Sequence, residues 1–185
     1  MKPDASFREF IKASGAIDAM WEWLPRLPNR GTTFDGYFDH TASQIKDGRM
    51  VSVIAFSKED DRFVGGAAFI RINQTHRHLQ IGFMWAPPEL RGSPYTLAMQ
   101  AGMIRAAMEW RAKRIFWTAD TQNTRLISFM EEKVQAKREG VVESAFRLTD
   151  GRWSDAIIYA LVGDRINEAI TRIESDLAKE FAEQD

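Results

Sequence analysis

The chain has 185 residues, long enough for one sizeable core and short for two domains, so a single domain over 1–185 is expected. Its 25 Lys+Arg against 26 Asp+Glu give a formal charge of −1, with no general basic field to hold nucleic acid, although a local patch would be invisible in that sum. There are no cysteines, which excludes disulfides, thiolate metal sites and a cysteine nucleophile. No run approaches the ~18 apolar residues of a membrane span, and Asp4, Arg8 and Glu9 do not fit a signal peptide. A cytoplasmic protein with neither a nucleic-acid nor a membrane partner is expected.

Residues 6–13 and 16–24 read as short helices, with Phe7, Phe10 and Ile11 on one face of the first and Ile17, Met20 and Trp21 inward on the second. Pro25 and Pro28 end the second. A third helix follows Thr33 and runs to Lys46, closed by Asp47-Gly48. Residues 50–56 and 63–72 read as a hairpin around the charged turn 58–62, a solvated loop without the further ligands a metal would need. Asn73-Gln74-Thr75 leads into a strand ending at Trp85. His76 and His78 share one face of it; a solvent-facing pair is a simpler reading than a metal site, because only His40 remains as a third imidazole.

After a long helix, residues 114–119 form a buried strand, and 120–123 lead into a helix with Leu126, Ile127 and Met130 inward. Residues 141–148 and 153–162 pair across Thr149-Asp150-Gly151, where Asp-Gly favours a tight turn. Ile166, Ile170, Ile173, Leu177 and Phe181 then mark an amphipathic helix whose stripe must be buried, either on its own domain or on a second subunit as a homodimer. The pattern is a mixed α/β, or α+β, single sheet.

Residues 80–112 organise the rest. Gln80 to Trp85 has strand chemistry, Pro87-Pro88 stops both helix and ladder, and Arg91-Gly92-Ser93-Pro94 is a turn opening a long helix. Ser93 suits the N-cap and Pro94 the first helical position; Leu97, Ala101, Ile104 and Met108 recur at helical spacing. The cationic Arg111, Lys113 and Arg114 suit the negative end of the dipole. A helix start behind an Arg-Gly loop gathers N–H groups and partial positive charge, as a phosphate or pyrophosphate requires. Most strand-to-helix junctions nevertheless bind nothing, so an ordinary turn is the alternative.

The stretch IGFMWAPPELRGSPYT, residues 81–96, resembles the strand and acyl-CoA loop of GNAT-type N-acetyltransferases, in which Arg/Gln-x-x-Gly-x-Gly/Ala follows a strand such as Glu-Ile-Gly-Tyr. Downstream, Asn123, Glu132-Lys133-Val134-Gln135-Ala136, Arg138-Glu139-Gly140-Val141 and Asp150-Gly151-Arg152-Trp153-Ser154-Asp155 fall in the order found in the branch that includes the ribosomal-protein N-terminal acetyltransferases. The resemblance covers residues 17–162. It implies a GNAT-like acyl-CoA N-acyltransferase fold, with residues 163–185 as an added C-terminal helix. No strand is visible ahead of the first helices, so either that strand is lost or the true start lies upstream of Met1.

The implied reaction is direct transfer of acetyl from acetyl-CoA, as co-substrate and without a metal, to an amine: a peptide or protein N-terminus or a small amine. By the same resemblance, the backbone of Phe83, Met84 and Trp85 would hold the pantetheine. The loop Arg91, Gly92, Ser93, Pro94, Tyr95 and Thr96 would hold the pyrophosphate, with Asn123 meeting the cofactor from the far side. Trp21, Trp23 and Tyr37 would border the acceptor pocket, core packing being their alternative role. Three departures stand out. Pro94 replaces the loop's second glycine and has no N–H to donate. Gln80 stands where a Glu often serves as base, and an amide cannot take a proton. The helix after Asn123 has Leu126 in place of a Ser and is one residue longer before Glu132, leaving Ser128 as a substitute hydroxyl, with a surface or helix-packing role as its simpler alternative. A non-catalytic GNAT-like module that binds CoA or scaffolds is the alternative function.

Overall fold

The computed structural model describes residues 34–182 together with Trp23 and Pro25. After helix α1 (Phe34–Lys46), strands β1 (Met50–Phe56), β2 (Phe63–Asn73) and β3 (His78–Trp85) form an antiparallel meander. A 3₁₀ turn (Pro88–Leu90) leads into α2 (Pro94–Glu109), which returns the chain to β4 (Arg114–Asp120), parallel to β3. Helix α3 (Thr124–Ser128) continues as a π-helical segment (Phe129–Val134); β5 (Lys137–Arg147), β6 (Trp153–Val162) and α4 (Asp164–Ala182) follow. The six strands make one mixed sheet in the order β1-β2-β3-β4-β6-β5. This is the mixed α/β architecture the sequence predicts.

Alternation in β4 buries Ile115, Trp117 and Ala119, and Leu97, Ala101 and Ile104 of α2 join them in one apolar cluster. Met99, Met103 and Ala107 are buried as well, because α4 packs along α2. The α4 stripe, Ile166, Ala169, Ile170, Ile173 and Leu177, is therefore buried within the same chain. Three polar ties reinforce that docking: Arg105 forks onto the Glu174 carboxylate, Lys133 Nζ meets Glu180 Oε1 at 3.0 Å, and Arg172 Nη2 donates to the Val134 carbonyl at 2.6 Å.

Several boundaries differ from the sequence reading, each for a physical reason. Helix α2 ends at Glu109, so Arg111, Lys113 and Arg114 lie beyond its last turn; Arg111 has turned to φ 58, and Arg114 opens β4 and pairs with Glu139 at 2.7 Å. Strand β5 begins at Lys137 rather than Val141, because its side chains are exposed on both faces and no alternation marks its start. Ser93 holds the N-cap position, but its hydroxyl donates to the Leu90 carbonyl at 2.6 Å instead of capping α2. The helix expected one residue too long absorbs the extra residue in the wider π turn, closed by Gln135 at φ 51. The helices expected at 6–13 and 16–24, and the question of a first strand, fall on residues outside those described; Pro25 makes an isolated antiparallel bridge to Leu148.

Tyr159 of β6 is fully buried and donates to Glu131 Oε1 at 2.6 Å, tying the π segment to the sheet. Burial first, then the hydrogen bond to Glu131 and its charge, push the phenol from its ordinary 10.0 to about 12. A raised folded value stabilises the protein fully below pH 10, and that contribution is lost as the pH climbs through about 12. Tyrosinate absorbance should show one of the three tyrosines resisting ionisation to about pH 12, a step absent in Tyr159→Phe; all three titrating together near 10 would contradict the assignment. Gln100 of α2 is 0 % exposed, and among the described residues neither side-chain atom has a partner. Replacing it with the similarly sized Met should stabilise the fold by about 1–3 kcal/mol in denaturant titration, since a buried orphan amide costs that much; a loss would mean the amide is satisfied.

Candidate active site

The site begins where two parallel strands part. The β3–β4 ladder spans only His78↔Arg114, Leu79↔Ile115 and Gln80↔Phe116, whereas β4 stays paired with β6 as far as Asp120↔Ala156. Strand β3 meanwhile bulges: Ala68 faces Gly82 but Gly66 faces Trp85, and Phe83 adopts φ 50. A bulge bends its strand away from the old partner. The result is a V-shaped cleft at the carboxyl ends of neighbouring parallel strands, the position where open α/β sheets hold ligands. Phe83, Met84 and Trp85 form one wall beyond the end of the ladder.

Two glycines of β2 hold the bulge. A Cβ on Gly65 would sit 2.3 Å from the Trp85 carbonyl oxygen, and one on Gly66 would sit 2.7 Å from the Trp85 ring, which also packs on Phe63 at 5.2 Å. The Trp85 ring is thus committed to β2, and its backbone borders the cleft.

The loop beyond Trp85 uses much of its own hydrogen-bonding capacity. The N–H groups of Arg91, Ser93 and Thr96 donate to Pro88, Leu90 and Ser93 carbonyls, and Pro94 has none. Gly92 and Tyr95 supply the N–H groups the loop itself does not engage. Gly92 lies at φ 75 with nothing within 4 Å of a would-be Cβ, so the backbone is approachable there. Arg91 Nε donates to the Ala86 carbonyl at 3.2 Å, while its Nη2 is buried and, among the described residues, unpartnered. The Tyr95 ring turns away, edge-on to Phe181 and beneath Arg62.

Gln80 stands at the fork. It is 5 % exposed, its Nε2 donates to Thr118 Oγ1 at 2.9 Å, and its Oε1 has no partner among the described residues. Gly82, next but one, leaves room beside it: a Cβ there would be 3.7 Å from Nε2. Across the cleft, Asn123 caps α3, its Oδ1 accepting from the Leu126 N–H at 3.1 Å. Asp120, which the sequence reading did not single out, is buried; its Oδ1 accepts from Gln122 N–H at 2.7 Å and its Oδ2 meets Arg152 Nη1 at 3.2 Å. This pair fixes the β4–α3 wall. Ser128 ends α3, half-buried. Trp23 is half-buried in a turn, Trp21 lies outside the described residues, and Tyr37 falls on α1 with its side chain outside the description. The His76 and His78 rings stack at 6.0 Å away from this cleft, and no group of three or more His, Cys, Asp or Glu gathers among the described residues.

A sequence model of the Acetyltransferase (GNAT) family matches residues 17–134. The chain belongs to the GNAT acetyltransferase family, in agreement with the resemblance carried by its loop. Among solved structures, RimJ from Mycobacterium smegmatis in complex with CoA-disulfide superposes with a TM-score of 0.75 at 19% identity, covering 95% of this chain and 86% of that one. A provisionally assigned acetyltransferase from T. thermophilus gives 0.72 at 25% identity, covering 86% and 82%. Spermidine N-acetyltransferase from Vibrio cholerae, in complex with CoA and spermine, gives 0.70 at 16% identity, covering 89% and 94%. A search of curated protein sequences returns no match.

Because Gly65 leaves no space for a side chain beside the Trp85 carbonyl, Gly65→Ala should force the bulge apart and cost about 1–3 kcal/mol by denaturant titration. Wild-type stability in this variant would show that the bulge is held in some other way.

Proposed function

We propose that this chain transfers the acetyl group of acetyl-CoA by direct attack to an amine of low pKa, a peptide or protein N-terminus or a weakly basic small amine, with residues 163–185 as a structural addition. The observation that carries this reading is Gln80, an amide at the fork of the cleft with one atom fixed by Thr118 and its oxygen unpartnered among the described residues. In this reading the backbone of Phe83 to Trp85 pairs with the pantetheine amides as an added strand would. Gly92 and Tyr95 N–H groups and the spare Arg91 Nη2 take the pyrophosphate at the positive end of α2. Pro94 removes a donor to a charged acceptor, worth about 1.5–3 kcal/mol, so CoA should bind about ten- to a hundred-fold more weakly than with glycine there.

Attack requires a neutral amine. The Gln80 oxygen can accept the amine's N–H, directly or through a water, and so orient its lone pair; it cannot remove a proton. The neutral fraction must then come from the acceptor itself. An α-amino group with a pKa of about 7.7–8.0 supplies it near neutrality, whereas at pH 7 a lysine-like amine near 10.4 is neutral to only roughly one part in a few thousand. A second reading, a CoA-binding module without catalysis, draws on Gln80, an amide at the fork that cannot serve as a base.

The kcat/KM for a peptide with a free N-terminus should rise tenfold per pH unit and level off near pH 8, with the lysine-like amine far slower at pH 7. Gln80→Glu should speed the lysine-like amine more than the peptide. Faster acetylation of the lysine-like amine by the wild type, with no gain from Gln80→Glu, would overturn the role given to Gln80. Acetyl-CoA at a hundred times its Kd should stabilise the fold by about 2.7 kcal/mol. Stabilisation without turnover on any amine would favour the second reading; an unmoved Tm and no calorimetric heat would remove both.

A further inference from the structure

The formal charge of −1 conceals a segregation of charge along the sheet. One rim, where β1 and β3 to β5 begin and β2 and β6 end, carries Arg49, Arg71, Arg77, Arg111, Lys113 and Arg165, all exposed. Backbone contacts fix them side by side: Met50 pairs with Ile70, Lys113 N–H donates to the Arg77 carbonyl at 2.7 Å, and Gly163 N–H to the Lys113 carbonyl at 3.1 Å. Among the described residues none of the six makes a salt bridge. The acids facing the rim are Asp47, Glu109, Glu139, Asp164 and Glu168, and Glu139 is taken up by Arg114 at 2.7 Å. Residues 63–88 contain no acid at all.

Two further features mark this rim. Trp110 is 47 % exposed next to Arg111, propped on Phe69 at 4.7 Å, and the His76 and His78 rings stack beside Arg77. Arg71, Arg77 and Arg111 all adopt left-handed backbone, at φ 49, 50 and 58, where glycine or asparagine would sit with less strain. Strained conformations held by longer side chains collect where a side chain is needed.

We propose that this rim binds single-stranded nucleic acid. Adjacent strands lie ~4.8 Å apart, so the row, running over β1, β2, β3, β4 and β6, extends about 19 Å, long enough for several phosphates. Guanidinium forks match phosphate oxygens, and exposed aromatic rings give bases a stacking platform. Apart from Arg165, in the first turn of α4, the cations stand on strand ends and turns, not on the polar face of an exposed amphipathic helix such as a membrane surface would take. The rim lies at the other end of β3 from the cleft's open mouth: Arg77 is about 10 Å along the strand from the fork at Gln80 and about 26 Å from Trp85, and its cations face outward from the end of the sheet, so both sites can be filled together. Binding at the rim does not depend on acetyl transfer in the cleft.

The test is fluorescence anisotropy of a labelled oligouridylate and its DNA counterpart against the full chain over a salt series. Arg77→Gly/Arg111→Gly removes two cations at positions whose backbone suits glycine, with Tm and acetyl-CoA binding as the check on folding. Losing two phosphate contacts should make the log K against log salt slope shallower by about 1.4 and weaken binding about 25-fold at 0.1 M salt. Equal RNA and DNA binding would indicate backbone recognition and RNA preference a contact to the 2′-hydroxyl; both support the proposal. No binding at low salt, an unaffected double variant, or binding to anionic vesicles but to neither oligonucleotide would overturn it.

Discussion

The parting of β3 and β4 after Gln80 and Phe116 is the constraint on which the site depends. Two parallel strands that stayed paired would close the cleft with their own hydrogen bonds and leave no backbone for a ligand. They separate because each is held more firmly on its far side. Strand β3 follows β2 through a bulge that Gly65 and Gly66 permit and the Trp85 ring pins, while β4 is paired with β6 along its whole length. The Asp120–Arg152 pair then locks the end of β4 to the turn before β6. Removing Arg152 would leave the buried Asp120 carboxylate without its cation, whereas removing Asp120 would leave a guanidinium that still reaches solvent and lies 3.9 Å from Asp150, so the first loss is the larger.

Much of this was legible from local rules. The proline pair and Arg-Gly turn located the β3–α2 junction, and the spacing of Ile166, Ile170, Ile173 and Leu177 located α4. What escaped the sequence was set by contacts distant along the chain. Asp120 reads as one more loop carboxylate until Arg152 is placed beside it. Thr118 looks like an ordinary strand residue until it fixes the Gln80 amide. The bulge at Phe83 is dictated by glycines some seventeen residues upstream, which no window centred on Phe83 contains. Strand β5 escaped in part because an exposed edge strand carries no apolar alternation.

Two of the three departures from the family pattern pull the proposed chemistry in one direction. In the proposed reaction an amide in place of a base and a proline in place of a donor would both weaken the active-site contribution, leaving positioning and the acceptor's own basicity to carry the transfer. Departures in the frame are milder. Gln135, in left-handed backbone where glycine would sit with less strain, closes the π turn at a local cost of about 1–2 kcal/mol that the buried Met130 and Val134 offset.

The central claim is that the cleft between β3 and β4 is where acetyl-CoA binds. Amide chemical-shift mapping of the ¹⁵N-labelled protein during an acetyl-CoA titration tests it most directly. The account requires the largest changes at Gly82 to Trp85, Gly92 and Tyr95, with Arg77 and Lys113 at the opposite rim unmoved. Changes centred instead on the apolar hollow of about 590 Å³ between Phe56, Met99 and Phe181, with the β3 bulge silent, would contradict it.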